Sequence, residues 1–193
     1  MNILHIDSSI LGENSASRGL TQAIVDQLRA QHPGASLTRM DLDAEPLPHL
    51  SSRSLAGADA TESARAQRAL EALSAADVVV IGAPMYNFSV PSTLKAWIDR
   101  VAVAGKTFRY TSTGPEGLLK GKRAILAITQ GGVHEFGGAS EHQESYLRFV
   151  LGFLGIVEVE VVRAQGLAMS AEHRSQALAS ARASLSHITQ LAA

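Results

Sequence analysis

Three short stretches carry residue types that could bind and work on a ligand. The first, Asp7-Ser8-Ser9-Ile10-Leu11-Gly12-Glu13-Asn14-Ser15-Ala16-Ser17-Arg18, is rich in hydroxyls and ends where a helix begins. Unpaired backbone N–H groups at a helix start, helped by the helix dipole, favour an anion. The second, Ala83-Pro84-Met85-Tyr86-Asn87-Phe88-Ser89-Val90-Pro91, puts aromatic, thioether and amide side chains in a tight turn between an apolar run and a helix. The third, Thr129-Gln130-Gly131-Gly132-Val133-His134, follows another apolar run and pairs two glycines where backbone could lie close to a ligand. A phosphate held by several such backbone donors and the loop's hydroxyls needs no lysine, because each charge-assisted hydrogen bond contributes about 1.5–3 kcal/mol. A flat ring with one polar edge fits the other two loops. Met85, Tyr86 and Phe88 can wall a slot, main chain around Asn87 can reach the polar edge, and Gly131 and Gly132 let backbone approach it closely. A phosphate site beside a slot for a flat ring with one polar edge points to a flavin.

Plainer readings exist for each stretch. Ser15 or Ser17 could only cap the helix, and Tyr86 and Phe88 could only fill the core. Two nucleotide motifs are excluded outright, since the first loop matches neither G-x-x-x-x-G-K-[ST] nor G-x-G-x-x-G. Asp7 has to point away from a phosphate or be paired, with Arg18 as the candidate partner. His134-Glu135 opens like H-E-x-x-H, but Gly138 stands where the second histidine belongs. His5 reads as a satisfied core residue, His142 and His173 lack partners at ligand spacing, and no metal is expected.

The elements that position these loops alternate between strand and helix. Apolar runs at 3–6, 78–82, 124–128 and 156–162 and a mixed run at 35–42 give five strands. Helical faces recur at Leu20, Ile24 and Leu28; at Ala66, Ala69, Leu70 and Leu73; and at Leu94, Trp97, Ile98 and Val101. Further helices cover 146–153 and the face formed by Leu178, Ala181, Leu185 and Ile188. Such alternation means an α/β fold, a parallel sheet between two helical layers. The mixed second strand belongs at an edge, and Val157, Val159 and Val161 alternating with Glu158 and Glu160 mark the other edge. The strand order is therefore the flavodoxin-like 2-1-3-4-5. Its chain reversal lies between strands one and three, where ligands bind beyond the carboxyl ends. Residues 43–59 and 104–122 read as long connections.

The 193 residues suit a single domain spanning 1–193, at 46% hydrophobic and 18% charged. A formal net charge of −1 gives no electrostatic reason for nucleic acid or an anionic membrane. Absence of cysteine excludes disulfides and thiolate chemistry. No stretch reaches the roughly 18 apolar residues of a span, and Met1-Asn2-Ile3-Leu4 enters a strand without a basic leader, so a cytoplasmic location is expected.

Six motifs together resemble the bacterial FMN-dependent NADH-azoreductases: Ser9; Ser15-Ala16-Ser17; Pro84-Met85-Tyr86-Asn87-Phe88; Thr107-Phe108-Arg109-Tyr110-Thr111; Gly114-Pro115-Glu116-Gly117-Leu118; and Gln130-Gly131-Gly132-Val133-His134. The likeness runs to about residue 170. Ala16 and Gln130 depart from the family pattern, where main-chain contacts survive the change, and the 43–60 loop is short. The resemblance implies a homodimer with one FMN per subunit, two sites at the subunit interface, and NADH (or NADPH) as donor. It further implies ping-pong two-electron reduction of quinones or azo compounds through flavin N5. FMN would contact Ser9, Ser15 to Ser17, Met85 to Phe88 and Thr129 to Gly132. No obligatory catalytic side chain is implied, and Tyr110 and His134 are the candidate proton sources. Phe108, Tyr110 and His134 would line the substrate pocket, with Phe153 reaching over from the partner, and Trp97 and the 104–122 arm are expected at the subunit contact. A flavodoxin-type carrier or a non-enzymatic flavin sensor are the alternatives; the long aromatic arm and near-neutral charge favour the enzyme.

Overall fold

The structure, a computed structural model, describes residues 1–189. Five strands, β1 (Asn2–Asp7), β2 (Ser36–Asp41), β3 (Val78–Pro84), β6 (Arg123–Thr129) and β7 (Glu158–Ala164), form one parallel sheet in the order β2-β1-β3-β6-β7. By position this is the expected order, because a hairpin of two further strands intervenes in the chain. Every residue of β3 and β6 is buried, as continuous apolar runs require when helices cover both faces.

Alternating side chains divide the core into two layers. Leu4, Ile6, Val79, Ile81, Leu126 and Ile128 face one cluster. There they meet Leu70 and Leu73 of α3 (Ala60–Ala75), Trp97 of α4 (Ser92–Val101) and Leu151 of α5 (Glu144–Leu154). Ile3, Val78, Val80, Ile125 and Ala127 face the other. That side is closed by Ile24 and Leu28 of α1 (Ala16–Gln31), Ala181 of α6 (Ala171–Ala183) and Leu185 of α7 (Leu185–Thr189). Helix α4 starts at Pro91 with no side-chain cap. Burial of Leu94, Trp97, Ile98 and Val101, about 1.5–3 kcal/mol each before entropy, holds it instead.

Several sequence expectations need correction. Residues 104–122 are not an irregular connection but carry an antiparallel hairpin, β4 (Phe108–Thr111) with β5 (Gly114–Gly117). The hairpin docks on the end of α5 through Leu119 N donating to Leu154 O at 2.9 Å. A Cβ on Gly117 would lie 2.1 Å from Gly155 N, so only glycine permits that approach. The 43–59 connection contains one helical turn, α2 (Ser52–Leu55), closed by a capping box between Ser51 and Ser54. The last helix is two, α6 and α7, parted at Ser184, whose hydroxyl donates to Ala181 O; the side chain of Ile188 lies outside the described residues. Trp97 is 1% exposed and packed in its own core, so its side chain is not at a surface contact. At β7 the expected wet face is dry at one end, because Val162 and Ala164 are buried under α6 while Val157 precedes the strand and is exposed. Among the described residues no helix is long and apolar enough to cross a membrane.

Candidate active site

The loops after β1, β3 and β6 meet at the carboxyl edge of the sheet. They wall a cavity of about 250 Å³. Ser9, Ser15 and Ala16 come from the first loop, Pro84, Met85 and Tyr86 from the second, and Thr129, Gln130 and Gly131 from the third. Asn87 belongs to a larger adjoining cavity, about 780 Å³, shared with Met85, Tyr86, Lys95 and Tyr146. Ser17, Phe88 and Gly132 line neither, although each stands beside a residue that does.

The first loop is tied to the second by Tyr86. Its hydroxyl lies 3.2 Å from Ser9 Oγ and accepts from Ile10 N at 3.2 Å. Ser15 does cap α1, accepting from Arg18 N at 3.2 Å, and its hydroxyl also meets that of Ser17 at 3.1 Å. The amides of Ala16 and Ser17, in the first turn, have no acceptor among the described residues. Cap and anion cradle are thus compatible roles for one serine.

Asp7 is fully buried and turned away from the cavity. Arg18, the expected partner, makes an ion pair with Asp7 only at the outer limit of range, and nearer partners dominate. Arg39 Nη2 approaches to 2.8 Å and Thr21 Oγ1 donates at 2.9 Å, whereas Arg18 stays 3.9 Å away. Burial pushes the Asp7 carboxyl up, but His5, Arg39 and Thr21 outweigh it and hold the group below its ordinary value. His5 is buried but less satisfied than expected: Nε2 sits 3.3 Å from Asp7 Oδ1, and neither ring nitrogen makes an aligned hydrogen bond. Arg18 is committed to Asp41, at 2.5 and 2.8 Å, and to Ser9 O at 2.9 Å. It clamps the loop from behind.

Tyr86 to Ser89 close a two-residue turn, each donating its amide to the other's carbonyl at 3.0 and 3.1 Å. Asn87 and Phe88 both lie in the left-handed region, at φ 49° and 70°. Such a turn favours Asn at the first position and Gly at the second. A phenylalanine there is strained, and the surroundings hold it: His142 N donates to Phe88 O, and the His134 ring meets the Phe88 ring edge-on at 5.9 Å.

The third loop is anchored from below by three glutamines. Gln143 is fully buried; its Nε2 donates to Ala83 O at 2.5 Å, and its Oε1 accepts from Gln130 Nε2 at 3.2 Å. Gln165 Nε2 donates to both Gln130 Oε1 and His134 O at 2.7 Å. Met85 N donates to Thr129 O at 2.8 Å, which joins loops two and three directly. The amides of Asn87, Gly131 and Gly132 have no acceptor among the described residues. A Cβ on Gly132 would press the His134 ring at 3.1 Å.

The expected substrate-pocket aromatics gather elsewhere in the chain. Phe108 is buried against Phe153 of the same chain, ring centroids 4.6 Å apart, and Tyr110 meets Phe108 edge-on at 5.6 Å while 75% exposed. None of the three lines either cavity. Only His134, hydrogen-bonded to Ser140 Oγ at 2.9 Å, adjoins the loops.

The flavodoxin-like-fold family model matches residues 1–188. The FMN-dependent NADH:quinone oxidoreductase 1 of Xanthomonas axonopodis pv. citri (strain 306) is 54% identical over 186 residues, 96% of each chain. The chain belongs to this flavodoxin-like oxidoreductase family. It is 52% identical to the FMN-dependent NADH:quinone oxidoreductase of Ralstonia nicotianae (strain ATCC BAA-1114 / GMI1000) over 205 residues, covering 100% of this chain and 99% of the relative. The crystal structure of azoreductase AzrA matches with TM-score 0.88 at 27% identity, over 98% of this chain and 99% of that one. As a member of the flavodoxin-like oxidoreductases, the chain has site residues that pattern reading missed. Leu167, Ala168 and Arg174 close the smaller cavity from the segment after β7, while Lys95 and Tyr146 line the larger. Burial pushes the Tyr146 hydroxyl up, so it keeps its proton well above neutrality. These residues sit on helices and a late loop whose sequence signals only amphipathicity.

Proposed function

We propose that the chain is an FMN-dependent NADH oxidoreductase that reduces quinones and azo compounds. The carrying observation is one cavity walled by all three loops, with main-chain donors left unpaired at both ends. Hydroxyls of Ser15 and Ser17 and the free amides of Ala16 and Ser17 suit a phosphate. Met85 and Tyr86 offer an apolar wall, and the amides of Asn87, Gly131 and Gly132 suit a ring's polar edge. The residues present therefore fit FMN, in line with the names of the relatives. Held by these residues, FMN would supply two-electron hydride chemistry at N5 between NADH and the acceptor, in a ping-pong cycle.

The protein's share is to bind, orient and exclude water. The glutamine cluster fixes the third loop, and the Tyr86–Ser9 contact fixes the first against the second. No side chain has to act as a nucleophile. His134 beside Phe88 and Tyr110 on the hairpin are the proton sources in this reading. Tyr110, Phe149 and Val157, at 75%, 75% and 79% exposure, leave apolar surface that supports a homodimer. In that dimer Tyr110 and Phe153 would complete the partner's substrate pocket, with Phe108 packed behind them. Single-domain organisation and a cytoplasmic location belong to the same reading.

Anaerobic mixing of the purified yellow protein with NADH tests it. Rapid loss of oxidised-flavin absorbance, restored by a quinone, is the expected result. Bleaching only through a separate reductase would make the chain an electron carrier, and no bleaching would make it a sensor.

A further inference from the structure

We propose that Arg174 is the counter-charge for the flavin phosphate and so the residue that selects FMN over riboflavin. The inference rests on the flavin-binding reading above. Among the residues lining the smaller cavity, Arg174 carries the only full charge, and it shares that cavity with Ser9, Ser15 and Ala16 of the first loop. Position is set by sequence: Ser170 caps α6, accepting from His173 N at 3.0 Å, which places Arg174 in the first turn beside the cavity. Its Nη2 donates to Asn14 O at a long 3.4 Å, and among the described residues no carboxylate pairs with it.

Two of the other charges at the loop, Arg18 and Asp7, are already engaged, and the exposed Glu13 carries the opposite sign to the one a phosphate needs. Arg18 is bound to Asp41 and Ser9 O. Asp7 is buried with Arg39 and Thr21. A phosphate monoester brings roughly −1.5 to −2 charges at neutral pH, more than the roughly half charge of one helix dipole balances. A half-buried, unpaired guanidinium at the rim makes up the difference, and its planar fork suits phosphate oxygens. Riboflavin, which has the same ring and ribityl chain without the phosphate, gains nothing from it.

Full-length protein stripped of flavin is titrated with FMN and with riboflavin, following flavin fluorescence, for wild type, Arg174→Gln and Arg174→Lys. The expected result is an FMN Kd raised about tenfold or more in Arg174→Gln, a flatter salt dependence, an unchanged riboflavin Kd, and partial recovery in Arg174→Lys. Equal weakening of both flavins, or no change in either, overturns the assignment while flavin binding stands. Wild-type protein that binds neither flavin overturns the flavin reading itself.

Discussion

Gln143 gives the sharpest test of how the site is held. Replacing it by leucine keeps the side-chain volume and deletes the amide. The Ala83 carbonyl and the Gln130 amide, bonded to Gln143 at 2.5 and 3.2 Å, would then stand unpaired at a position with no solvent access. Each abandoned polar group costs about 1–3 kcal/mol, and burying leucine instead of an amide returns about 1 kcal/mol. The net loss expected for Gln143→Leu is about 1–5 kcal/mol of folding stability, from these two figures. Ala83 directly precedes the second loop, so the same change should weaken FMN binding about tenfold, roughly one lost charge-free hydrogen bond's worth of order. Urea unfolding of the full chain, with and without FMN, measures both quantities. A stability change below about 0.5 kcal/mol together with an unaltered FMN affinity would refute the claim that this amide cluster organises the loops.

Tyr86→Phe removes the hydroxyl that meets Ser9 Oγ and Ile10 N, each at 3.2 Å. Loss of about 1 kcal/mol should appear as a several-fold higher FMN Kd by fluorescence titration. Gly117→Ala drives a Cβ to 2.1 Å from Gly155 N. The hairpin must undock, so its amides should lose hydrogen-exchange protection while the five-stranded sheet keeps its own. Arg18 beside Asp41 holds that carboxyl at about 2, below the ordinary 3.8. A depressed carboxylate stabilises the fold fully above the unfolded value and loses that contribution as pH falls through the folded one. Between about pH 4 and 2 the wild type should therefore lose about 1–2 kcal/mol more than Asp41→Asn, allowing for solvent screening of a partly exposed pair.

The sheet and the three loops were legible because their signals are local. Val78 to Ile81 and Ala124 to Ile128 are unbroken apolar runs, and the residues that follow them are too unusual for plain turns. The hairpin was not legible, since its strands are four residues each and β5 reads Gly-Pro-Glu-Gly, composition that signals a loop. What makes it a strand pair is docking against α5, a long-range cause. The division at Ser184 is hidden for a related reason: Leu178, Ala181 and Leu185 keep one helical face across it. Arg39 as partner of Asp7 follows from β2 lying beside β1, with His5 opposite Arg39 in register, which spacing along the chain does not reveal. Neither the glutamine cluster nor Arg174 has any periodic signature; both come from residues 13 to more than 150 positions apart brought together by the fold.

The turn at Asn87 and Phe88 carries a consequence for engineering. Phe88 in the left-handed region stores on the order of 1–3 kcal/mol, whereas Asn87 tolerates that region at little cost. A glycine at position 88 would release that energy, so a library screened for heat resistance alone should keep that replacement. The same replacement removes the ring that rests on His134 and lets the corner wander. Ruggedness and cofactor grip pull this one position in opposite directions, and a screen that rewards only the first will return colourless survivors.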